Sequence, residues 1–191
     1  MEDKREYSFE LNEDMLNLVE KEFSPQEIAA ILATAVKGRP SSEIPEIGKQ
    51  AFIEYGDRWG RRVIELGTSY MDRTYEILRQ AIDETGSPAF PLIPQRFIEI
   101  AYLSTQKMST LPIVESNFRR LIFRIENCCI YQAILDQCGE SMAGRLTCRH
   151  GCLNLCEAIM AGLSIDGIEA EMSAMMPQDG CCQFELKNTK A

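Results

Sequence analysis

Residues 147–158, TCRHGCLNLCEA, place three cysteines and the chain's only histidine within nine positions, Cys148 to Cys156. Such a group can serve as a nucleophile with its base, as a metal site or as a buried apolar stripe. On a helix, Cys148, Cys152 and Cys156 are spaced by four and share one slowly drifting face. His150 falls about 200° from Cys148 on an ideal helix. It joins that face only if the helix starts later, which Gly151 allows. Cys148 is the cysteine placed at the helix entry, beside Arg149 and His150, where a thiol pKa is lowered. It is the candidate nucleophile, with His150 as acid/base.

A second group lies near the C-terminus. Cys181 and Cys182 are adjacent, so in a strand they point to opposite faces. Cys182 shares parity with Phe184 and Leu186 and should point inward; Cys181 shares parity with Gln183 and Glu185 and should point outward. If the cysteine helix packs on that sheet, Cys148, Cys152 and Cys182, with Glu171 or His150, supply the four N/S/O ligands that zinc takes. Cys128 and Cys129 could approach the same place. The third reading is that these cysteines are small buried hydrophobes of a reducing compartment.

These residues need elements to position them. Leu121, Phe123 and Ile125 alternate with Ile122, Arg124 and Glu126, as in a strand with one buried face. Helices are expected over 130–137, ending at Gly139, and over about 147–163. A hairpin follows, with Ile168 to Met176 on one arm, a turn at Pro177-Gln178-Asp179-Gly180, and Cys182 to Leu186 on the return. The first half reads helical. Leu11, Met15, Leu18 and Val19 recur at helical spacing, and Ser24-Pro25-Gln26-Glu27 has the form of an N-cap, a first-position proline and a first-turn carboxylate. The following helix stops at Gly38, and Ser42 is a candidate cap for the next. Helical spacing then persists over 47–82, with Gly56 and Gly60 one turn apart, a mark of close helix approach. Gly86 to Pro91 breaks the pattern, and a short helix is expected over 95–105.

The bulk properties exclude several roles. The chain has 191 residues, 45% of them apolar, enough for a real core. A net charge of −9, without a long basic run, disfavours nucleic acid. The charged opening residues do not read as a secretory signal, and no apolar run is long enough to span a membrane. All eight cysteines fall in the last third, which suits free thiols and a cytoplasmic location.

Residues 118–188 carry a family resemblance. The strand, the helix entered at Cys148, and the hairpin closing on Asp179-Gly180-Cys181-Cys182-Gln183-Phe184 resemble the C-terminal module of the L-2-amino-thiazoline-4-carboxylic acid hydrolase-like proteins. The segment is similar, more distantly, to the small-molecule-binding domains named after 4-vinyl reductase. Gly151 stands where the hydrolase-like proteins tend to carry an aspartate, and Ala174 where the metal-binding 4-vinyl reductase-type domains offer a further cysteine. The resemblance implies an α+β fold, with a helical N-terminal half (1–86) packed on a C-terminal antiparallel sheet with helices (87–191), together one compact unit.

Two functions follow as expectations. One is hydrolysis of a small cyclic C–N bond, of the thiazoline or amidine type. Cys148 and His150 would act on it, or a metal held by Cys148, Cys152, Glu171 and Cys182, zinc being the expected ion. Arg145 or Arg149 would hold a substrate carboxylate. The other is a non-catalytic module that binds a small molecule against Met172 and Met176, its cysteines bracing the pocket, around zinc if one is present. The long helical half further suggests a homo-oligomer.

Overall fold

A computed structural model describes residues 9–70, 72–85 and 91–191. The helical half begins with α1 (Glu13–Glu22), whose first turn is capped by Asn12 accepting from the Met15 amide at 3.1 Å. Next is α2 (Pro25–Val36), where Ser24 accepts from the Glu27 amide at 3.2 Å and Pro25 opens the helix, as its sequence requires. The long α3 (Ile44–Ser69) follows. Ser42 does not cap it; Glu43 occupies the cap position without a side-chain bond, and Pro45 sets the first turn.

The continuous helix expected over 47–82 is two helices. The chain turns extended at Tyr70, and α4 (Thr74–Thr85) starts afresh. The break is held from a distance. Arg96 pairs with Asp72 at 2.5 Å and donates to the Gly67 carbonyl at 3.0 Å, while Asp72 accepts from the Thr74 amide at 2.9 Å. Hydrophobic spacing cannot register such a stop, because its cause lies 24 residues on. Arg96 belongs to α5 (Leu92–Thr105), which begins earlier than the expected 95. The break expected at Gly86–Pro91 falls largely on residues 86–90, outside the described residues.

The sheet is antiparallel and four-stranded, in the order β1 (Ile113–Ser116), β2 (Arg120–Ile125), β4 (Cys182–Asn188), β3 (Ile168–Ala174). Between β2 and β3 run α6 (Cys129–Cys138), the one-turn α7 (Glu140–Ala143) and α8 (Arg149–Gly162). The expectations did not include β1 or α7. β1 has only four residues, and a register shift between Ile113 and Glu115 breaks its alternation.

Register confirms the expected parity. Leu121 faces Leu186, Phe123 faces Phe184, and Ile125 faces Cys182, and all six are buried. Cys182 therefore points inward, while Cys181 is only partly buried. The opposite face is a ladder of ion pairs joining Arg120 to Glu115 and Glu185, and Lys187 to Glu171 and Glu185.

Helices cover the inner face. α3 lies along α8, and the glycines permit it: a Cβ on Gly60 would meet Ala158 Cβ at 2.6 Å and the Leu155 carbonyl at 2.9 Å. A chain of rings, Phe23, Tyr55, Trp59, Tyr102, Phe123 and Phe184, links the first helices to the sheet with centroid separations from 4.8 to 5.8 Å. One hydrophobic cluster includes residues from both halves of the chain. The molecule is thus α+β, with helices mostly N-terminal and the antiparallel sheet in the C-terminal part.

Candidate functional site: a buried thiol chamber

Cys148 stands at the entry of α8 with φ −64° and ψ −16°, already helical, so it stays in phase with Cys152 and Cys156. All three are buried. Gly151, between them, lets α3 come close: a Cβ there would lie 3.2 Å from the Phe52 carbonyl oxygen. Where the two helices meet, Phe52, Tyr55 and Trp59 of α3, Ile130 of α6, Cys148 at the entry of α8, and Gly151 and Cys152 of α8 line a cavity of about 10 Å³. That is room for one atom of water size. Cys128 caps α6, its sulfur accepting from the Tyr131 amide at 3.4 Å, and Cys182 opens β4.

The four thiols of Cys128, Cys148, Cys152 and Cys182 form one neighbourhood. Burial raises the pKa of each, and thiols of the group act on one another: Cys128 and Cys182 raise Cys148, and all three raise Cys152. Burial pushes Cys128 up to about 12 and Cys156 likewise to about 12. At neutral pH these groups are therefore SH, neutral and poorly nucleophilic.

His150 does not join them. It responds to burial, which lowers its pKa, and to Lys49, Arg149 and Glu46, two of which lie on α3. The cations expected to activate Cys148 turn elsewhere, and Arg145 and Arg149 are exposed. Glu171 points to the outer face of the sheet and pairs with Lys187. The register shift in β3 falls between Met172 and Ala174, beyond Glu171, and does not re-aim it. Met172 pairs across from Phe184 on the inner side; Met176 lies past the end of β3, its backbone near enough to the Cys182 thiol to oppose the rise in its pKa. Both methionines are partly buried against the core.

Of the expected metal ligands, then, the fold gathers Cys148, Cys152 and Cys182, adds Cys128, and leaves Glu171 outside. The expected zinc set does not fit. Among the described residues no three His, Cys, Asp or Glu side chains are arranged to hold a metal ion.

The sequence reading missed the polar atoms around the thiols. Trp59 lines the chamber, and its Nε1 is buried without a hydrogen-bond partner. The Tyr102 hydroxyl is fully buried and close enough to Cys152 for each to act on the other's ionisation, yet it makes no hydrogen bond of acceptable geometry. Gln106 accepts from the Cys129 amide at 2.7 Å through Oε1, leaving its buried Nε2 unpartnered. Such atoms are rare in folded proteins and call for an explanation. No sequence pattern marks them, because Trp59 and Tyr102 sit at ordinary core positions of two different helices.

No family model, curated protein or solved structure matches the chain. No helix among the described residues is long and apolar enough to cross a membrane.

Proposed function

We propose that the chain is a non-catalytic binding module of the 4-vinyl reductase-like type, with the thiol–aromatic chamber as its binding centre. The observation that carries this is a small thiol-lined cavity against Trp59, whose indole N–H is buried without a partner. A buried donor left without a partner costs about 1–3 kcal/mol, a cost that a bound group can remove. The resemblance of residues 118–188 to these domains supports the same reading, as do the adaptable Met172 and Met176 beside the inner sheet face.

Hydrolysis by Cys148 and His150, the other function implied by the resemblance, draws less support. It needs a thiolate within reach of an imidazole. Here the thiol is buried and protonated, and the imidazole lies beside Lys49 and Glu46. The test uses Trp59, the only tryptophan, as a reporter in the chamber wall. Native mass spectrometry of the purified chain should show a bound species whose removal changes Trp59 fluorescence, and 2-aminothiazoline-4-carboxylate should not be turned over. Turnover that is lost in both Cys148→Ser and His150→Ala would replace this reading with the hydrolase.

A further inference from the structure

We propose that the chamber binds one soft monovalent metal cation, Cu(I) being the accessible example, through Sγ of Cys148 and Sγ of Cys152. The inference rests on the chamber being a binding centre and names its ligand.

Size comes first. A cavity of about 10 Å³ has room for one atom in the free chain. Donor chemistry comes second. The side chains that reach this cavity with lone pairs on soft atoms are two thiols, one helical turn apart on one face of α8. At that spacing their Cβ atoms lie about 5–6 Å apart, so both sulfurs can converge on one ion. Thiolates select soft metals. Zinc requires four ligands in a tetrahedron, whereas Cys148 and Cys152 are the two thiols that line this cavity. Cu(I) is satisfied by two thiolates in line.

Charge comes third. Binding is M⁺ + 2 RSH → [M(SR)₂]⁻ + 2 H⁺: two S–H bonds break, two M–S bonds form, and the protons leave to solvent. The product carries one negative charge among Phe52, Tyr55, Trp59 and Ile130. An uncompensated charge there would be prohibitive. Trp59 lines the chamber and Tyr102 lies near Cys152, and the indole N–H of the one and the hydroxyl of the other are buried without partners. Each can donate a charge-assisted hydrogen bond to a thiolate sulfur. Donors orphaned in the free chain thus acquire acceptors when the metal arrives. Cys128 and Cys182, in the same neighbourhood, add two more polarisable sulfurs.

The test is an anaerobic titration of the reduced, full-length chain with Cu(I) supplied as its bathocuproine disulfonate complex. The chain should take one copper from the chelator, with loss of Trp59 fluorescence at the same stoichiometry and release of two protons. Replacing the partly exposed Cys129, Cys138 and Cys181 by serine should leave this unchanged. The Cys148→Ala/Cys152→Ala variant should leave all copper on the chelator. Should that variant fail to fold, Trp59→Phe decides: it keeps an aromatic ring, removes the donor, and should weaken copper binding about 10- to 100-fold, read by chelator competition, unchanged binding overturning the proposal. The proposal is overturned if no copper binds, if the double variant competes as well as the parent, if the Cys129/Cys138/Cys181 variant loses the metal, or if Zn(II) displaces copper at equal concentration. Copper refused by a chain that carries another bound species overturns the metal assignment alone. Copper refused by a chain that carries nothing overturns the binding module as well.

Discussion

Gly56 on α3 and Gly151 on α8 touch backbone to backbone: a Cβ placed on Gly56 would lie 2.2 Å from the Gly151 carbonyl oxygen. No side chain can rotate away from such a clash, so the helices must separate. That contact sets the width of the chamber, since Gly151 and Cys152 form one wall, and Tyr55 and Trp59 the other.

Gly56→Ala should therefore destabilise the chain by about 1–3 kcal/mol, the range for overpacking a core, seen as a lower urea midpoint. Gly144→Ala is the control. Its added methyl would meet only the Glu140 carbonyl at 3.5 Å, and its φ of −65° suits alanine. It should be neutral or slightly stabilising. Equal midpoints for the two variants would mean that α3 and α8 are not in close contact.

These glycines show what the sequence made legible. Two glycines four apart in a helical pattern signal close approach, and α8 supplies the partner. Strand alternation likewise placed Cys182 inward and Cys181 outward. Spacing by four put Cys148, Cys152 and Cys156 on one face. All of these are local periodicities of one element. What stayed hidden depends on pairs far apart in the chain. Arg96 bridges the break between α3 and α4, bonding to the Gly67 carbonyl and pairing with Asp72. Trp59 and Tyr102 look like ordinary core aromatics, and their ring centroids are 5.5 Å apart. That their polar atoms are buried without partners emerges only once α3, α5 and α8 are packed together.

The Asp72–Arg96 pair makes a pH prediction. Both side chains are almost wholly buried, at 3% and 4% exposure. Burial alone would raise the Asp72 pKa, but hydrogen bonds from Thr74 and Arg96 outweigh it and hold the carboxyl below its usual range. A depressed folded pKa means that the pair stabilises fully above the unfolded value of about 3.9 and that this contribution fades as pH falls through the lower folded value. Asp72→Asn should cost about 3–5 kcal/mol at neutral pH, because it leaves the Arg96 charge buried and unpaired. The urea midpoints of parent and variant should converge in acid. A gap that stays constant with pH would mean that the Asp72 charge does not matter.

The thiols should divide by burial. Cys129, Cys138 and Cys181 are partly exposed, whereas Cys128, Cys148, Cys152, Cys156 and Cys182 are buried, with burial raising each thiol pKa. Iodoacetamide at neutral pH should add to the first three quickly and reach the other five only on unfolding, when all eight react. Intact-mass spectra over time, with peptide mapping, read this directly. Fast labelling of Cys148 in the native chain would show it to be an exposed thiolate and would favour the hydrolase.

Tyr102 gives the sharpest test of the unpartnered donors. Its hydroxyl is buried and meets no acceptor of good geometry, so the folded chain bears the desolvation cost without the bond. Tyr102→Phe removes the hydroxyl, keeps the ring that packs on Trp59, Phe123 and Phe184, and should stabilise the metal-free chain by about 1 kcal/mol. With Cu(I) bound, the hydroxyl has a thiolate to donate to, and the sign should reverse: the variant should gain less stability from copper than the parent does. Thermal or urea unfolding of both chains, with and without one equivalent of Cu(I), yields the four stabilities of this cycle. Destabilisation of the metal-free variant would show that the hydroxyl is already bonded, to the Cys152 sulfur or to a trapped water, and that the chamber is complete without a ligand.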